Sequence, residues 1–200
     1  LALTSTRIPE RFGMDPLFDI QVITPMHRGA TGTINLNARL QAVLNPDGKG
    51  LEFREREFWV RDKVMQQQNN YDKQVFNGDM GVIVGCDPVS KNLHVKFDQG
   101  VVEYEGKELE QLALAYAISV HKSQGSEYPA VVMPLTTHHY VMLQRNLLYT
   151  ALTRGKQLVI LVGTEQAVKL AVRNDQTLTR HTLLPHEFAQ ATNLKLALES

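Results

Sequence analysis

The hydrophobic pattern changes period twice along the chain. Phe18, Ile20 and Val22 alternate with polar residues and stop at Thr24-Pro25, which predicts a strand ended by proline. After Arg28-Gly29-Ala30-Thr31-Gly32, the residues Leu36, Leu40, Val43 and Leu44 recur at helical spacing until Asn45-Pro46-Asp47-Gly48 turns the chain. The first segment therefore reads as strand, glycine-bearing loop, helix. The middle switches to short apolar runs: Phe58 and Val60, Val64 and Met65, Met80 to Val84, Leu93 to Phe97, and Val101 to Tyr104. Turn chemistry separates them at Asn77-Gly78-Asp79, Asp87-Pro88-Val89-Ser90 and Asp98-Gln99-Gly100, which predicts a small SH3-like barrel.

The last segment returns to longer periods. Ala115 to Ser123 reads as a short helix or a strand-to-helix passage broken by Gln124-Gly125, and Ala130 to Leu135 reads as a buried strand. Tyr140 to Thr153 predicts a helix with Leu143, Leu147, Leu148 and Ala151 packing inward. Leu158 to Val162 is purely aliphatic, the pattern of a parallel strand covered on both faces. Gly163-Thr164 then caps a helix through Val168, Leu170 and Val172. Strands alternating with helices imply a parallel α/β sheet. The predicted division is 1–52, first part of the α/β domain; 53–113, an inserted barrel; 114–185, second part of the α/β domain; and 186–200, a tail.

Composition sharpens this reading. The chain has 200 residues, 21 basic and 21 acidic side chains and 43% hydrophobic residues, which is ordinary globular material. A net charge of zero argues against binding nucleic acid by bulk charge, though not against a groove lined by a few placed groups. The zero is uneven. Residues 53–113 hold eight basic and eleven acidic side chains, a balance of −3, whereas residues 114–200 hold eight and five, a balance of +3. Cys86 is the single cysteine, which fits a reducing, cytoplasmic setting and excludes an internal disulfide. The longest uncharged stretch, Tyr128 to Gln144, is too polar and too broken by proline to span a bilayer. The chain opens on Leu1, which suggests a piece of something longer.

Some chemistry is missing. Gly-Lys occurs at Gly48-Lys49, Gly106-Lys107 and Gly155-Lys156, but never before Ser or Thr, so no phosphate-binding loop is present. No Asp-Glu pair exists to hold Mg²⁺ and orient water. His138-His139 resembles a metal pair, but neighbouring residues do not share a face of a helix or a strand.

Two stretches carry a specific resemblance. Ala115 to Glu127, reading AYAISVHKSQGSE, resembles motif V of superfamily 1 helicases, and Leu147 to Lys156, reading LLYTALTRGK, resembles their motif VI. A strand and a helix lie between them. Ile23-Thr24-Pro25-Met26-His27-Arg28-Gly29, followed by Leu36-Asn37 and Leu40-Gln41, is similar to the start of the same domain in RecD-like helicases. The stretches Phe58 to Met65 and Val75 to Gly81 resemble that family's barrel insertion. The resemblance covers roughly residues 8–165. It implies the second RecA-like domain of a 5′-to-3′ DNA helicase with an SH3-like domain inserted. A first RecA-like domain on the same chain, ahead of Leu1, would bear the Walker motifs and hold most of the ATP and Mg²⁺.

The resemblance also implies roles. Arg154 would be an arginine finger, a guanidinium delivered to the γ-phosphate of ATP from a second domain. Glu127 would accept hydrogen bonds from the ribose while the Gln124-Gly125 backbone approaches the nucleotide, Gly125 being glycine so that backbone comes close. Ser119, His121 and Lys122 would face single-stranded DNA, as would Thr24, Arg28 and Gly29 at a strand's carboxyl end. Trp59 and Phe58 are candidates to stack a base, with barrel core as the competing role, and Asn69, Asn70, Tyr71 and Lys73 lie on a polar loop within reach of the strand. Gly155 stands where alanine is usual, and is expected to adjust only the turn. No residue is expected to bind a metal. Implied partners are single-stranded DNA, a duplex junction, and nuclease or recombination subunits, with no membrane. Two other readings stay open: the helicase half of a conjugative relaxase, and a non-catalytic nucleic-acid-binding module.

Overall fold

The computed structural model describes residues 1–87, 89–136 and 143–175. The expected tail, the His138-His139 pair and the start of the helix expected from Tyr140 lie outside the described residues. A short helical segment, Leu3–Arg7, runs into α1 (Ile8–Phe12), which Gly13 closes in the left-handed conformation at φ 66°. Next come β1 (Ile20–Thr24) and α2 (Thr33–Leu44). Seven strands follow: β2 (Gly50–Phe53), β3 (Arg56–Trp59), β4 (Lys63–Gln66), β5 (Met80–Asp87), β6 (Asn92–Phe97), β7 (Gly100–Tyr104) and β8 (Leu112–Leu114). The chain ends its described course with β9 (Ala117–Ser119), β10 (Tyr128–Leu135), α3 (Arg145–Leu152), β11 (Gly155–Gly163) and α4 (Glu165–Arg173).

Two sheets organise the molecule. β11, β10, β1 and β9 form a wholly parallel sheet in that order. β1 and β10 sit inside it, and nearly every residue of both is buried, as expected of strands covered on two faces. β11 departs from the expectation. It is one of the two edge strands, its aliphatic residues are only half-buried, and Val162 is exposed. The Thr164 hydroxyl caps α4 by accepting from the Ala167 N–H, as its position before the helix predicts.

The second sheet is antiparallel, in the order β7, β6, β5, β4, β8, with the β2–β3 hairpin packed on it. Leu51 and Phe58 of the hairpin join Val64, Val75, Ile83, Leu93, Val95 and Tyr104 in one core. Among the described residues no ladder joins β7 to β8, so this SH3-type module is an open sheet covered by a hairpin. Phe58 is thus core, and Cys86 packs half-buried against the same cluster.

The two units meet through a buried polar cluster. Asp62, fully buried, accepts from Gln41 Nε2 at 2.6 Å, Asn45 Nδ2 at 2.9 Å, the Trp59 N–H at 2.8 Å and the Tyr116 hydroxyl at 2.9 Å. Burial pushes its carboxyl up despite these four donors. Among the described residues no helix is long and apolar enough to cross a membrane.

Candidate nucleotide and nucleic-acid sites

The segment between β9 and β10 runs from the carboxyl end of the parallel strands back to their amino end. Ser119 pairs in register with Thr24 at the carboxyl end of β1, whereas Tyr128 lies two positions before Ala130, the partner of Ile20. At about 3.3 Å per residue, those six positions correspond to roughly 20 Å along the sheet. Residues 120–127 cover that distance with one short helical turn, His121–Ser123, and a left-handed Gly125 at φ 85°. A Cβ at Gly125 would meet nothing within 4 Å, so backbone conformation, rather than a close approach within this chain, requires glycine there.

At the amino end, Glu127 and Arg154 flank one junction. The Tyr128 N–H donates to the Arg154 carbonyl at 2.8 Å, tying the starts of β10 and β11 together. The Arg154 guanidinium, half-buried, donates to the Ser126 carbonyl at 3.1 Å, the Thr150 carbonyl at 3.2 Å and the Thr153 hydroxyl at 3.2 Å. These acceptors are neutral, and among the described residues no carboxylate pairs with Arg154. The guanidinium is oriented while its charge stays uncompensated, which suits it to an incoming anion. Glu127 pairs with Lys156 at 3.2 Å, both more than half exposed, a contact that water weakens and a ligand can displace. Gly155 does more than shape a turn: a Cβ there would sit 2.4 Å from the Val159 side chain, so alanine would need Val159 to shift.

At the carboxyl end lies a groove of about 980 Å³ between the two sheets. His27, Thr33, Asn37 and Gln41 line one side, Arg54, Arg56 and Trp59 the other, with Ser119 and Lys122 between them. Trp59 therefore faces the groove while its neighbour Phe58 faces the core. Ser119 is buried, and its hydroxyl accepts from the Lys122 N–H at 3.3 Å. Lys122 donates through Nζ to Asn77 Oδ1 at 2.5 Å, reaching across to the SH3-type module.

Other predicted residues are placed differently. Thr24 is fully buried and donates to the Thr31 carbonyl at 2.7 Å, so its side chain holds the following loop rather than facing the groove. Arg28 and Gly29 are exposed on that loop, next to His27, with Gly29 at φ 92°. His121 is not among the residues that line the groove; it lines a separate 150 Å³ cleft with Gln124, Gln144, Asn146, Leu147 and Thr150. Lys73 pairs with Glu108 and lies 5.1 Å over the Tyr104 ring, so it serves the module's own fold. Sequence reasoning missed the Asp62 cluster. Its signal is Gln41 and Asn45, polar residues four apart on one helical face. Among the described residues, no three His, Cys, Asp or Glu side chains group to hold a metal ion.

Comparison with known proteins bears on the family and the fold. Residues 36–97 match the ATP-dependent RecD-like DNA helicase SH3 domain, and residues 114–162 match the UvrD-like helicase C-terminal domain. The chain is 39% identical over 165 residues to the ATP-dependent RecD2 DNA helicase of Deinococcus radiodurans, covering 82% of this chain and 23% of that protein. It is 31% identical over 147 residues to the RecBCD enzyme subunit RecD of Mycobacterium tuberculosis, covering 73% of this chain and 25% of that protein. The chain thus spans about a quarter of the length of the curated relatives it matches. In fold, it resembles a Bacteroides Pif1 helicase crystallised with ADP-AlF3 and single-stranded DNA, at a TM-score of 0.56 and 18% identity over 95% of this chain and 49% of that one. A second structure of Bacteroides Pif1 bound to single-stranded DNA gives 0.52 and 17%, over 90% and 47%. By its parallel sheet, its SH3-type module and these matches, the chain belongs to the RecD-like family of superfamily 1 helicases, over the segment that holds the second RecA-like domain and its SH3-like insertion.

Proposed function

We propose that this chain is the second motor domain of an ATP-dependent DNA helicase that moves 5′-to-3′ on single-stranded DNA. In this reading residues 53–113 are the insertion, with β2 reaching back to Gly50. The observation that carries it is the eight-residue passage 120–127. It follows Ser119, carries Lys122 into the groove and ends on Glu127 beside Arg154, so one short segment links the two sites.

Arg154 supports the nucleotide half of the reading. Its partners are uncharged, and it projects where a helix gives way to a strand, so it is available to a γ-phosphate held by a first motor domain. There it stabilises the charge that develops on phosphoryl transfer, an effect on the order of 10³–10⁵ in rate. Glu127 is exposed for the ribose, and Gln124-Gly125 offers backbone beside it. Mg²⁺ is assigned to the first motor domain of the same protein. The groove takes the single strand, with a duplex junction ahead of it. Nuclease or recombination subunits are the expected partners, since several relatives are named as RecBCD subunits, and the cytoplasm is the expected setting.

The test is Arg154→Ala in the protein carrying both motor domains. DNA-stimulated ATP turnover should fall by about 10³-fold or more, while nucleotide binding and single-strand binding persist. Near-normal turnover would overturn the assignment. The 200-residue chain alone is expected to show no DNA-stimulated turnover.

A further inference from the structure

Between β4 and β5 the chain forms a tightly held loop that keeps two aromatic rings in water. Asn70 and Val75 exchange backbone hydrogen bonds at 2.8 and 3.1 Å, and Val75 is fully buried as the loop's anchor. On the outer side, Tyr71 is 74% exposed and Phe76 44% exposed. Their ring centroids lie 5.9 Å apart with planes at 75°. Hydrogen bonds hold the Tyr71 hydroxyl and the backbone that carries Phe76. The Tyr71 hydroxyl accepts from Asn69 Nδ2 at 3.3 Å, Asn69 Oδ1 accepts from the Asn77 N–H at 3.0 Å, and Asp79 Oδ2 accepts from the Phe76 N–H at 2.8 Å. Asn77, the residue after Phe76, is the one that receives Lys122 from the groove.

An edge-to-face pair leaves the ring that gives its edge with both faces unpartnered. Ordering two such rings at the surface sets aside the burial that aromatic side chains normally gain. We propose that Tyr71 and Phe76 form a stacking platform for one unpaired base of single-stranded DNA where the strand passes the Lys122 end of the groove. This rests on the groove being the single-strand track. Stacking also fits the charge of the module. A segment with a balance of −3 repels phosphates, but a base presents an uncharged π-face that stacks whatever its sequence. Lys122 then holds the phosphate side of the track while the platform holds a base. The pair is already ordered in the free protein, so binding costs little side-chain entropy.

The experiment measures binding of fluorescein-labelled oligothymidylate, with a single abasic site walked along the strand, to the protein carrying both motor domains. Abasic substitution at one position should weaken wild-type binding by about 5- to 100-fold. Tyr71→Ala should weaken binding of the complete strand by a similar factor and abolish sensitivity to that abasic position. Tyr71→Phe, which keeps the ring and loses the hydroxyl, should bind as wild type. Phe76→Ala should behave as Tyr71→Ala; if it fails to fold, the exposed Tyr71 variants carry the test. Equal abasic sensitivity in wild type and Tyr71→Ala overturns the platform even if affinity drops, because the loss is then structural. Wild-type binding with no sensitive position overturns it as well. Absence of any wild-type binding overturns the track and the platform together.

Discussion

Lys63 shows how far the fold overrides the ordinary chemistry of one side chain. Its ammonium is buried, donates to the Leu17 carbonyl at 2.8 Å and lies 5.9 Å over the Tyr128 ring. Burial lowers its pKa from the usual 10.5 to about 8, and the carboxylates of Asp15 and Asp19 offset only part of that. Between pH 8 and 10.5 the unfolded chain therefore keeps a proton that the folded chain has released, so stability rises with pH across that window. Above about pH 10 the buried tyrosines act in the opposite direction: burial raises Tyr104, Tyr116 and Tyr128, and unfolding then frees their protons. Denaturant unfolding from pH 7.5 to 9.5 should show wild type gaining about 2 kcal/mol relative to Lys63→Met, which lacks the titration. Parallel profiles for the two proteins would show that the ammonium stays charged. No hydropathy pattern announces this lysine, since Arg61-Asp62-Lys63 reads as a polar turn until the fold encloses it.

At the scale of elements, α2 separates what periodicity shows from what it hides. The helix and its end were legible in Leu36, Leu40 and the Asn45-Pro46 stop. The buried face joins the expected Leu36, Leu40 and Leu44, which pack into one hydrophobic cluster, to polar Thr33, Asn37 and Gln41, whereas Val43 is exposed. The reason is the Asp62 carboxylate, which draws Gln41 and Asn45 inward, together with Asn37, which exchanges hydrogen bonds of 2.8 Å with the Ala117 backbone of β9. Asp62→Ala would leave buried donors from α2, the hairpin and Tyr116 without their acceptor. Loss of stability on the order of 3–5 kcal/mol is expected, read as a lowered denaturant midpoint, with Asp62→Asn retaining part of it. A change below about 1 kcal/mol would mean that water replaces the carboxylate. β11 carries the complementary lesson. Its aliphatic run identified a parallel strand, but a run of that kind does not tell an edge from a centre, and it pairs only with β10.

For the whole molecule, zero net charge is compatible with the proposed nucleic-acid track because placement matters more than total. The groove draws on both units: Arg54 and Arg56 come from the acidic module, Lys122 from the basic segment. Arg54 is engaged with Glu110 at 2.5 Å and Arg56 with the Leu112 carbonyl at 2.7 Å. Among the cations that line the groove, Lys122 is the one that reaches from one unit to the other. Lys122→Ala should lower single-strand affinity at low salt and flatten the dependence of log K on log salt by about 0.7, the contribution of one phosphate contact. Titrations at several salt concentrations check this, and an unchanged slope would place Lys122 off the strand. Arg154→Ala should leave that slope intact, because it belongs to the opposite end of the parallel strands.

The sequence by itself determined most of the order of strands and helices, though not α1, β2 or β8, together with the interruption by a β module and the two motifs that name the family, because periodicity, turn residues and contiguous motifs are local properties. It also singled out Arg154 and Glu127 as the proposed nucleotide contacts, since each lies within its own motif. Only the tertiary structure decided which side chains share a surface. It turned Trp59 to the groove and Phe58 to the core, buried Thr24, moved His121 to another cleft and joined Arg154 to the Ser126 carbonyl. Those outcomes depend on contacts between segments tens of residues apart, which no local pattern encodes.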